Sequence, residues 1–196
     1  MRAKLGRLVL DAVGWEMEGK APEARKFVLV AAPHTSNWDF LYAVACTTAL
    51  GLPLRWLGKD ALFHGPQRRL LTSLGGIPVD RSKRTDMVRA MVREFERSDA
   101  LALLIPAEGT RKLGTYWKSG FYHIARAAGV PLVLGFLDYP RKRVGIGPTI
   151  WPSGSVRTDM AAVRSFYADK TGKYPAQFTP PRLKEEDLEA RSGMSN

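Results

Sequence analysis

The chain has 196 residues, of which 45% are hydrophobic and 25% charged, which excludes a disordered or fibrous protein and fits one folded domain. Thirty lysines and arginines against 19 acidic residues give a net charge of +11, which indicates phosphate groups, nucleic acid or an acidic membrane surface as partners. The single cysteine, Cys46, excludes an internal disulfide, so we expect a reducing, cytoplasmic setting.

Residues 1–20 predict an amphipathic N-terminal helix. Apolar side chains recur with the spacing of one helix face, at Leu5, Leu8, Val9, Ala12 and Val13. Two interpretations stay open: the helix packs on the domain, or it lies on anionic lipid. No apolar run approaches the roughly 18 residues of a membrane-spanning helix, so we expect no transmembrane helix.

Apolar runs that end in turn residues alternate with helical patterns along the rest of the chain. The predicted elements are strand 26–33, helix 35–50, strand 54–59, helix 61–74, strand 75–81, helix 85–99, strand 100–109, helix 118–129, strand 130–139, edge strand 143–151 and helix 158–172. The alternation predicts a single α/β domain over residues 1–196, with a largely parallel or mixed central sheet flanked by helices on both faces. Residues 183–196 are expected to form a flexible tail.

Polar residues follow two of the predicted strands, in "PHTSNWD" and in "AEGTR". In α/β sheets, chemistry collects in the loops at the carboxyl ends of strands. Asp39 lies in the first turn of the helix that follows His34, where its carboxylate could accept a hydrogen bond from one ring nitrogen of His34. That bond would fix the tautomer and leave the other nitrogen free to take a proton. A purely structural turn also explains this motif and is favoured when the motif stands alone.

Arginine occurs in the second of these loops and at the end of another predicted strand. In "EGTR", Gly109 allows close backbone approach and the Arg111 guanidinium has the shape to grip a phosphate at two oxygens. Arg81, in "GIPVDR", is a second candidate for the same role. A surface ion pair with Glu108 is the more common explanation for an arginine such as Arg111, and an ion pair with Asp80 is the alternative for Arg81.

The elements "HTSNWD", "GIPVDR", "EGTR" and "VPLV", in this order over about residues 27–139, resemble the glycerolipid acyltransferases of the lysophosphatidate acyltransferase type. The resemblance implies transfer of a fatty acyl group from acyl-CoA or acyl carrier protein to a hydroxyl of an anionic lysolipid. It implies no cofactor, no metal and no nucleic-acid partner. Many members of the family carry transmembrane helices, but none is predicted in this sequence. The protein is therefore expected to sit peripherally on the inner face of the membrane.

The resemblance assigns roles to individual residues. His34 is similar to the family's general base and Asp39 to the carboxylate that orients it. The residues implied to bind the acceptor are Glu108, Gly109, Thr110, Arg111, Arg81 and Lys59. The chain departs from the family pattern at Ala107 and Lys112, where proline and serine are usual. The acceptor therefore stays open between lysophosphatidate, glycerol phosphate, another lysolipid and an amino-acid lipid.

The implied mechanism is direct transfer, in which His34 removes a proton from the acceptor hydroxyl as it attacks the thioester carbonyl. Ser36 is an alternative, covalent nucleophile, although its position favours helix capping. A non-catalytic basic module that binds lipid or nucleic acid is a second class of function, suggested by the net charge. A metal hydrolase that uses His34, His64, His123 and Asp39 is a third, although no spacing here is typical of a zinc site.

Overall fold

The structure is a computed structural model that describes residues 2–79 and 84–188. The strands within these ranges are β1 (Glu16–Glu18), β2 (Lys26–Ala32), β3 (Leu54–Lys59), β4 (Gly76–Val79), β5 (Leu101–Pro106), β6 (Leu132–Asp138) and β7 (Arg143–Ile150). The α-helices are α1 (Arg2–Ala12), α2 (Trp38–Ala49), α3 (Arg68–Ser73), α4 (Arg84–Arg97), α5 (Gly120–Ala128) and α6 (Val156–Tyr167), and 3₁₀ turns occupy Asp60–Phe63 and Pro175–Gln177.

The strands form one mixed sheet in the order β1-β7-β6-β2-β5-β3-β4, in which only the β6–β7 pair is antiparallel among the described strands. The predicted fold class is therefore confirmed. β2 lies between β5 and β6, with Ala31 opposite Pro106 and Ala32 opposite Phe136. Because these three strands end at the same edge of the sheet, the loops that follow them meet there.

Helices cover both faces of the sheet, which explains why the central strands are almost continuously apolar. On one face α4, α5 and α6 enclose a core that includes Val28, Leu103 and Ile124. On the other face α1, α2 and α3 pack over side chains such as Leu29 and Trp56. Burial on two sides fixes the positions of the strand ends that carry the candidate site.

Helix α1 packs on α2, but not through the face that the sequence predicts. Leu5 and Leu8 are 60% and 64% exposed, whereas Gly6 and Leu10 are buried. A Cβ atom at Gly6 would lie 2.5 Å from the Ala45 carbonyl oxygen, so glycine lets the two helix backbones approach closely. The helix therefore packs on the domain, as one of the two interpretations has it, but Leu5 and Leu8 of the predicted stripe face outward. The helix also ends at Ala12 rather than near residue 20.

The edge of the sheet differs from the prediction at β7. The sequence predicts that residues 143–151 form an edge strand, but β1 pairs with β7 in parallel and takes the edge position. β1 has three residues, Glu-Met-Glu, which is too short to produce a detectable alternation. The prediction missed it for that reason.

The beginning of the predicted flexible tail is packed against the domain. Leu183 is fully buried, and its backbone N–H donates to Glu186 at 2.9 Å. The same carboxylate accepts a hydrogen bond from Arg164 of α6 at 2.7 Å. The ordered chain therefore continues past residue 183 to the end of the described range, and residues 189–196 lie outside it. None of the helices in the two described ranges combines the length and apolar composition needed to span a bilayer.

Candidate active site

The turn between β2 and α2 is organised by the Asp39 carboxylate. Oδ2 of Asp39 accepts the backbone N–H groups of Thr35 and Ser36, both at 2.8 Å. Ser36 Oγ accepts the N–H of Trp38 at 3.3 Å. These bonds satisfy backbone donors of the turn and of the first residue of α2. Ser36 therefore supports the turn just before α2, whereas the N-cap residue is Asn37, whose side chain makes no capping bond.

The same turn brings His34 and Asp39 together. Nδ1 of His34 lies 3.3 Å from Oδ2 of Asp39, and the aspartate is 2% exposed while the histidine is 17% exposed. A carboxylate at this position favours a proton on Nδ1, which leaves Nε2 as the nitrogen that accepts a proton. The geometry is that of a general base with an orienting acid.

The other oxygen of Asp39 has a partner that the sequence analysis did not identify. The phenol of Tyr139, which directly follows β6, donates to Oδ1 of Asp39 at 2.6 Å. The position of Tyr139 in the sequence could have identified it. It is a polar residue at the carboxyl end of the predicted strand 130–139, which is the criterion that selected His34 and Glu108. The loops after the central strands β2, β5 and β6 thus each place a polar side chain of the candidate site at the carboxyl ends of these strands.

Glu108 does not face a substrate, contrary to the role implied by the resemblance. Its side chain is 1% exposed, Oε1 accepts the backbone N–H of His34 at 2.5 Å, and Oε2 accepts that of Thr179 at 3.1 Å. Burial raises the pKa of Glu108 to about 7, while the two N–H donors act in the opposite direction. Both oxygens are used within the chain, so this carboxylate holds the turn that carries His34 and does not face the cavity.

A C-terminal segment, residues 171–182, joins the two motif loops. The Thr179 hydroxyl accepts the N–H of Gly114 at 2.8 Å, and the Thr179 carbonyl accepts Nε1–H of Trp117 at 2.7 Å. With its amide nitrogen facing them, Gln177 donates to the carbonyl oxygens of Thr35 at 3.2 Å and Arg111 at 2.5 Å. The sequence analysis found no site residue here, because the segment carries no periodicity or motif.

A cavity of about 350 Å³ opens beside His34. Its polar lining includes His34, Asn37 and Arg111. Its remaining walls are largely apolar and come from α2, β3, the 60–63 turn, α3 and the ends of the central strands, at Phe40, Ala43, Trp56, Leu57, Leu62, Leu71, Leu104 and Leu137. The size falls within the roughly 300–1,000 Å³ of small-molecule sites, and the arrangement suits a ligand with a long apolar part and an anionic end.

The predicted phosphate-binding residues have different positions. Arg111 is exposed and lines the cavity, and Thr110 lies exposed beside it. Gly109 has φ of +68° and a Cβ atom there would lie 2.5 Å from Cγ of Lys118, so only glycine fits the turn. Lys59 is exposed at the end of β3 but is not part of the cavity wall. Arg81 lies outside the described residues.

The other two histidines do not join the site. His64 contacts Asp60 at 2.8 Å and His123 contacts Glu185 at 3.2 Å. Across residues 2–79 and 84–188, no three histidine, cysteine, aspartate or glutamate side chains converge as ligands of a metal ion would. The structure therefore does not assemble the ligand set that a metal hydrolase would need from His34, His64, His123 and Asp39.

Comparisons with known proteins agree with this geometry. The model of the family described as Acyltransferase matches residues 15–134. Among solved structures, the chain is similar to the 1-acyl-sn-glycerophosphate (LPA) acyltransferase PlsC from Thermotoga maritima, with a TM-score of 0.56 and 17% identity over 82% of this chain and 72% of that chain. No curated protein matches the sequence. The family match includes His34, Asp39 and Arg111, whereas Tyr139, Gln177 and Thr179 lie beyond it.

Proposed function

The chain belongs to the acyltransferase family, and from this premise we propose that it transfers a fatty acyl group from an acyl thioester to a hydroxyl of a phosphate-bearing glycerolipid such as 1-acylglycerol-3-phosphate. The observation that carries the proposal is the His34–Asp39 pair, 3.3 Å apart, beside an apolar cavity whose wall includes Arg111. A base, a place for an acyl chain and a cation for a phosphate are the three parts that this reaction requires.

The proposed chemistry is general-base catalysis. Nε2 of His34 takes the proton of the acceptor hydroxyl as the oxygen attacks the thioester carbonyl, and the thiol then leaves with a proton from the same ring. The buried Asp39 carboxylate stabilises the imidazolium that forms between these steps. A positioned base of this kind accelerates a reaction by about 10²–10⁴.

The apolar and polar parts of the cavity wall bind different parts of the substrates. The apolar wall formed by Phe40, Ala43, Trp56 and Leu71 accommodates the acyl chain, since burying each methylene contributes about 0.8 kcal/mol. The exposed guanidinium of Arg111 binds the phosphate of the acceptor by donating hydrogen bonds to its oxygens. The acyl donor, acyl-CoA or acyl carrier protein, brings the thioester to His34 as a co-substrate, and no other cofactor takes part.

We also propose that the protein works at the inner surface of the membrane, where such acceptors are found. Large apolar side chains are exposed on α1 and α2, at Leu5, Leu8, Trp38 and Leu41, while Lys4 and Arg7 are exposed on α1. This combination of apolar and basic side chains favours anionic lipid.

Replacing His34 tests the proposed reaction. Purified His34→Ala protein, mixed with lysophosphatidate and acyl-CoA, is expected to lose at least 10²-fold in acyl transfer measured by mass spectrometry of the lipid product. His123→Ala is the matched control, because His123 contacts Glu185 away from the cavity, and it is expected to keep full activity. An active His34→Ala variant would contradict the mechanism.

Acyl-transfer assays with several acceptors distinguish between the candidate acceptor lipids. Lysophosphatidate is compared with a lysolipid without a phosphomonoester and with an amino-acid lysolipid. Wild-type protein that binds lipid vesicles or nucleic acid but transfers no acyl group to any of them would instead support a non-catalytic basic module.

A further inference from the structure

Tyr139 is held in a fixed position at the rear of the candidate site. Its ring meets Trp15 edge to face, with centroids 4.9 Å apart, and Tyr42 at 6.1 Å, while Trp15 and Tyr42 stack on each other at 4.3 Å. Its backbone N–H donates to the Thr171 carbonyl at 2.9 Å. Contacts from α2, the segment after α1 and the segment after α6 therefore fix the direction of the phenol.

The two oxygens of Asp39 have separate partners. Oδ2 accepts the N–H groups of Thr35 and Ser36 and faces Nδ1 of His34, whereas Oδ1 accepts the phenol of Tyr139 at 2.6 Å. A buried carboxylate oxygen without a donor is costly. If the phenol were removed, Asp39 would turn about its side-chain bonds toward another donor, and Oδ2 would move relative to His34.

The phenol remains a donor over the working range of pH. Burial, and then the hydrogen bond to the negatively charged Asp39, raises the pKa of Tyr139 far above its ordinary value. The tyrosine therefore stays protonated and does not itself exchange a proton with the substrate. It acts on the reaction through the carboxylate.

We propose that Tyr139 is a positioning residue that orients the Asp39 carboxylate toward His34, so that the working unit is a His34–Asp39–Tyr139 chain. The inference rests on the proposed function, since it concerns the same base. Tyr139 lies beyond the segment that the family model matches, which ends at residue 134. The tyrosine is 100 residues away from the aspartate in sequence and reaches it through the pairing of β2 with β6.

Tyr139→Phe removes the hydroxyl and keeps the ring that packs on Trp15. We expect kcat to fall about tenfold or more, because the lost bond is to a charged group, while the KM values for acceptor and donor stay within about twofold. The matched control is Tyr42→Phe, which removes a hydroxyl from the same aromatic cluster. Tyr42 does not line the cavity beside His34. Its kcat is expected to equal that of the wild type.

A double mutant shows whether the effect passes through the carboxylate. In an Asp39→Asn background, Tyr139→Phe is expected to cause no further loss of kcat, because the two groups act as one unit. Additive losses would overturn the inference, as would an unchanged kcat in Tyr139→Phe or an equal loss in Tyr42→Phe. Urea unfolding of each variant identifies any loss that comes from instability.

The tautomer of His34 gives a readout independent of turnover. With ¹⁵N-labelled histidine and a neutral imidazole, we expect wild-type and Tyr42→Phe proteins to show His34 as the Nδ1–H form and Tyr139→Phe to show a mixture of both tautomers. An unchanged Nδ1–H signal in Tyr139→Phe would overturn the inference. A wild-type protein without acyl transfer would overturn the proposed function alone, because the tautomer experiment still tests the role of Tyr139.

Discussion

Two charged side chains of the loop after β5 face different surroundings. Arg111 is exposed and lines the cavity, whereas Glu108 is enclosed and bonded to backbone N–H groups. Gly109 lies between them with φ of +68°, a conformation that reverses the chain and that side-chain-bearing residues rarely adopt. The loop can therefore send a carboxylate inward and a guanidinium outward within four positions.

Arg111→Ala tests the outward-facing residue. Because a guanidinium forms charge-assisted bonds to phosphate in both the bound substrate and the transition state, we expect the acceptor KM to rise about tenfold or more with kcat little changed. Steady-state kinetics with varied lysophosphatidate measure this. Lys112→Ala is the control, since Lys112 is an exposed neighbour outside the cavity wall. An unchanged acceptor KM in Arg111→Ala would remove Arg111 from the phosphate site.

Among the elements, the turn that carries His34 is held by segments that are distant in sequence. Glu108 joins the loop after β5 to the His34 backbone and to Thr179, while Gln177 bridges the carbonyls of Thr35 and Arg111. The C-terminal segment 171–182 thus acts with both motif loops as one packed unit. A change in any of these connections is expected to alter the position of His34.

The buried carboxylate of Glu108 makes stability depend on pH. The unfolded chain has an ordinary glutamate pKa of about 4.5, and the folded chain has a pKa of about 7. Between these values the unfolded chain releases its proton first, so the folded state loses stability as pH rises from about 4.5 to about 7. The contribution is at most about 3 kcal/mol, and it is fully present only below pH 4.5.

Urea unfolding of wild-type and Glu108→Gln proteins at pH 5 and pH 8 measures this pH-dependent contribution of Glu108 to stability. We expect the free energy of unfolding of the wild type, taken relative to the variant, to be lower at pH 8 than at pH 5. Other titrating groups cancel in the difference, and the amide of the variant does not titrate. A difference that stays constant between the two pH values would show that Glu108 is already ionised in the folded protein at pH 5.

At the scale of the whole molecule, the helices on the α1–α2 face leave apolar side chains in solvent. Gly6 lets α1 sit directly on α2, so the stripe that contains Leu5 and Leu8 points away from the core. Trp38 and Leu41 are also exposed, and both belong to the helix that begins at the catalytic turn. An apolar surface close to the site suits an enzyme whose acceptor stays in a lipid layer.

Leu8→Glu is expected to weaken binding to vesicles that contain phosphatidylglycerol by about tenfold or more, because one inserted leucine contributes roughly 1.5–3 kcal/mol. Vesicle co-sedimentation measures the binding. Trp151→Glu is the control: Trp151 is 64% exposed but follows Ile150, which pairs with Leu132 at the sheet edge opposite the site. Equal binding by both variants, or none by the wild type, would contradict association through α1.

The sequence by itself determined the alternation of strands and helices, the loops that carry His34, Asp39 and Arg111, and the family. These features are local, because apolar periodicity and strand-end turns are written in neighbouring residues. The tertiary structure decided that Glu108 faces inward and that Tyr139 reaches Asp39. It also decided that α1 turns Leu8 outward. These outcomes depend on strand order and close backbone approach, which join residues far apart in the chain and leave no local pattern.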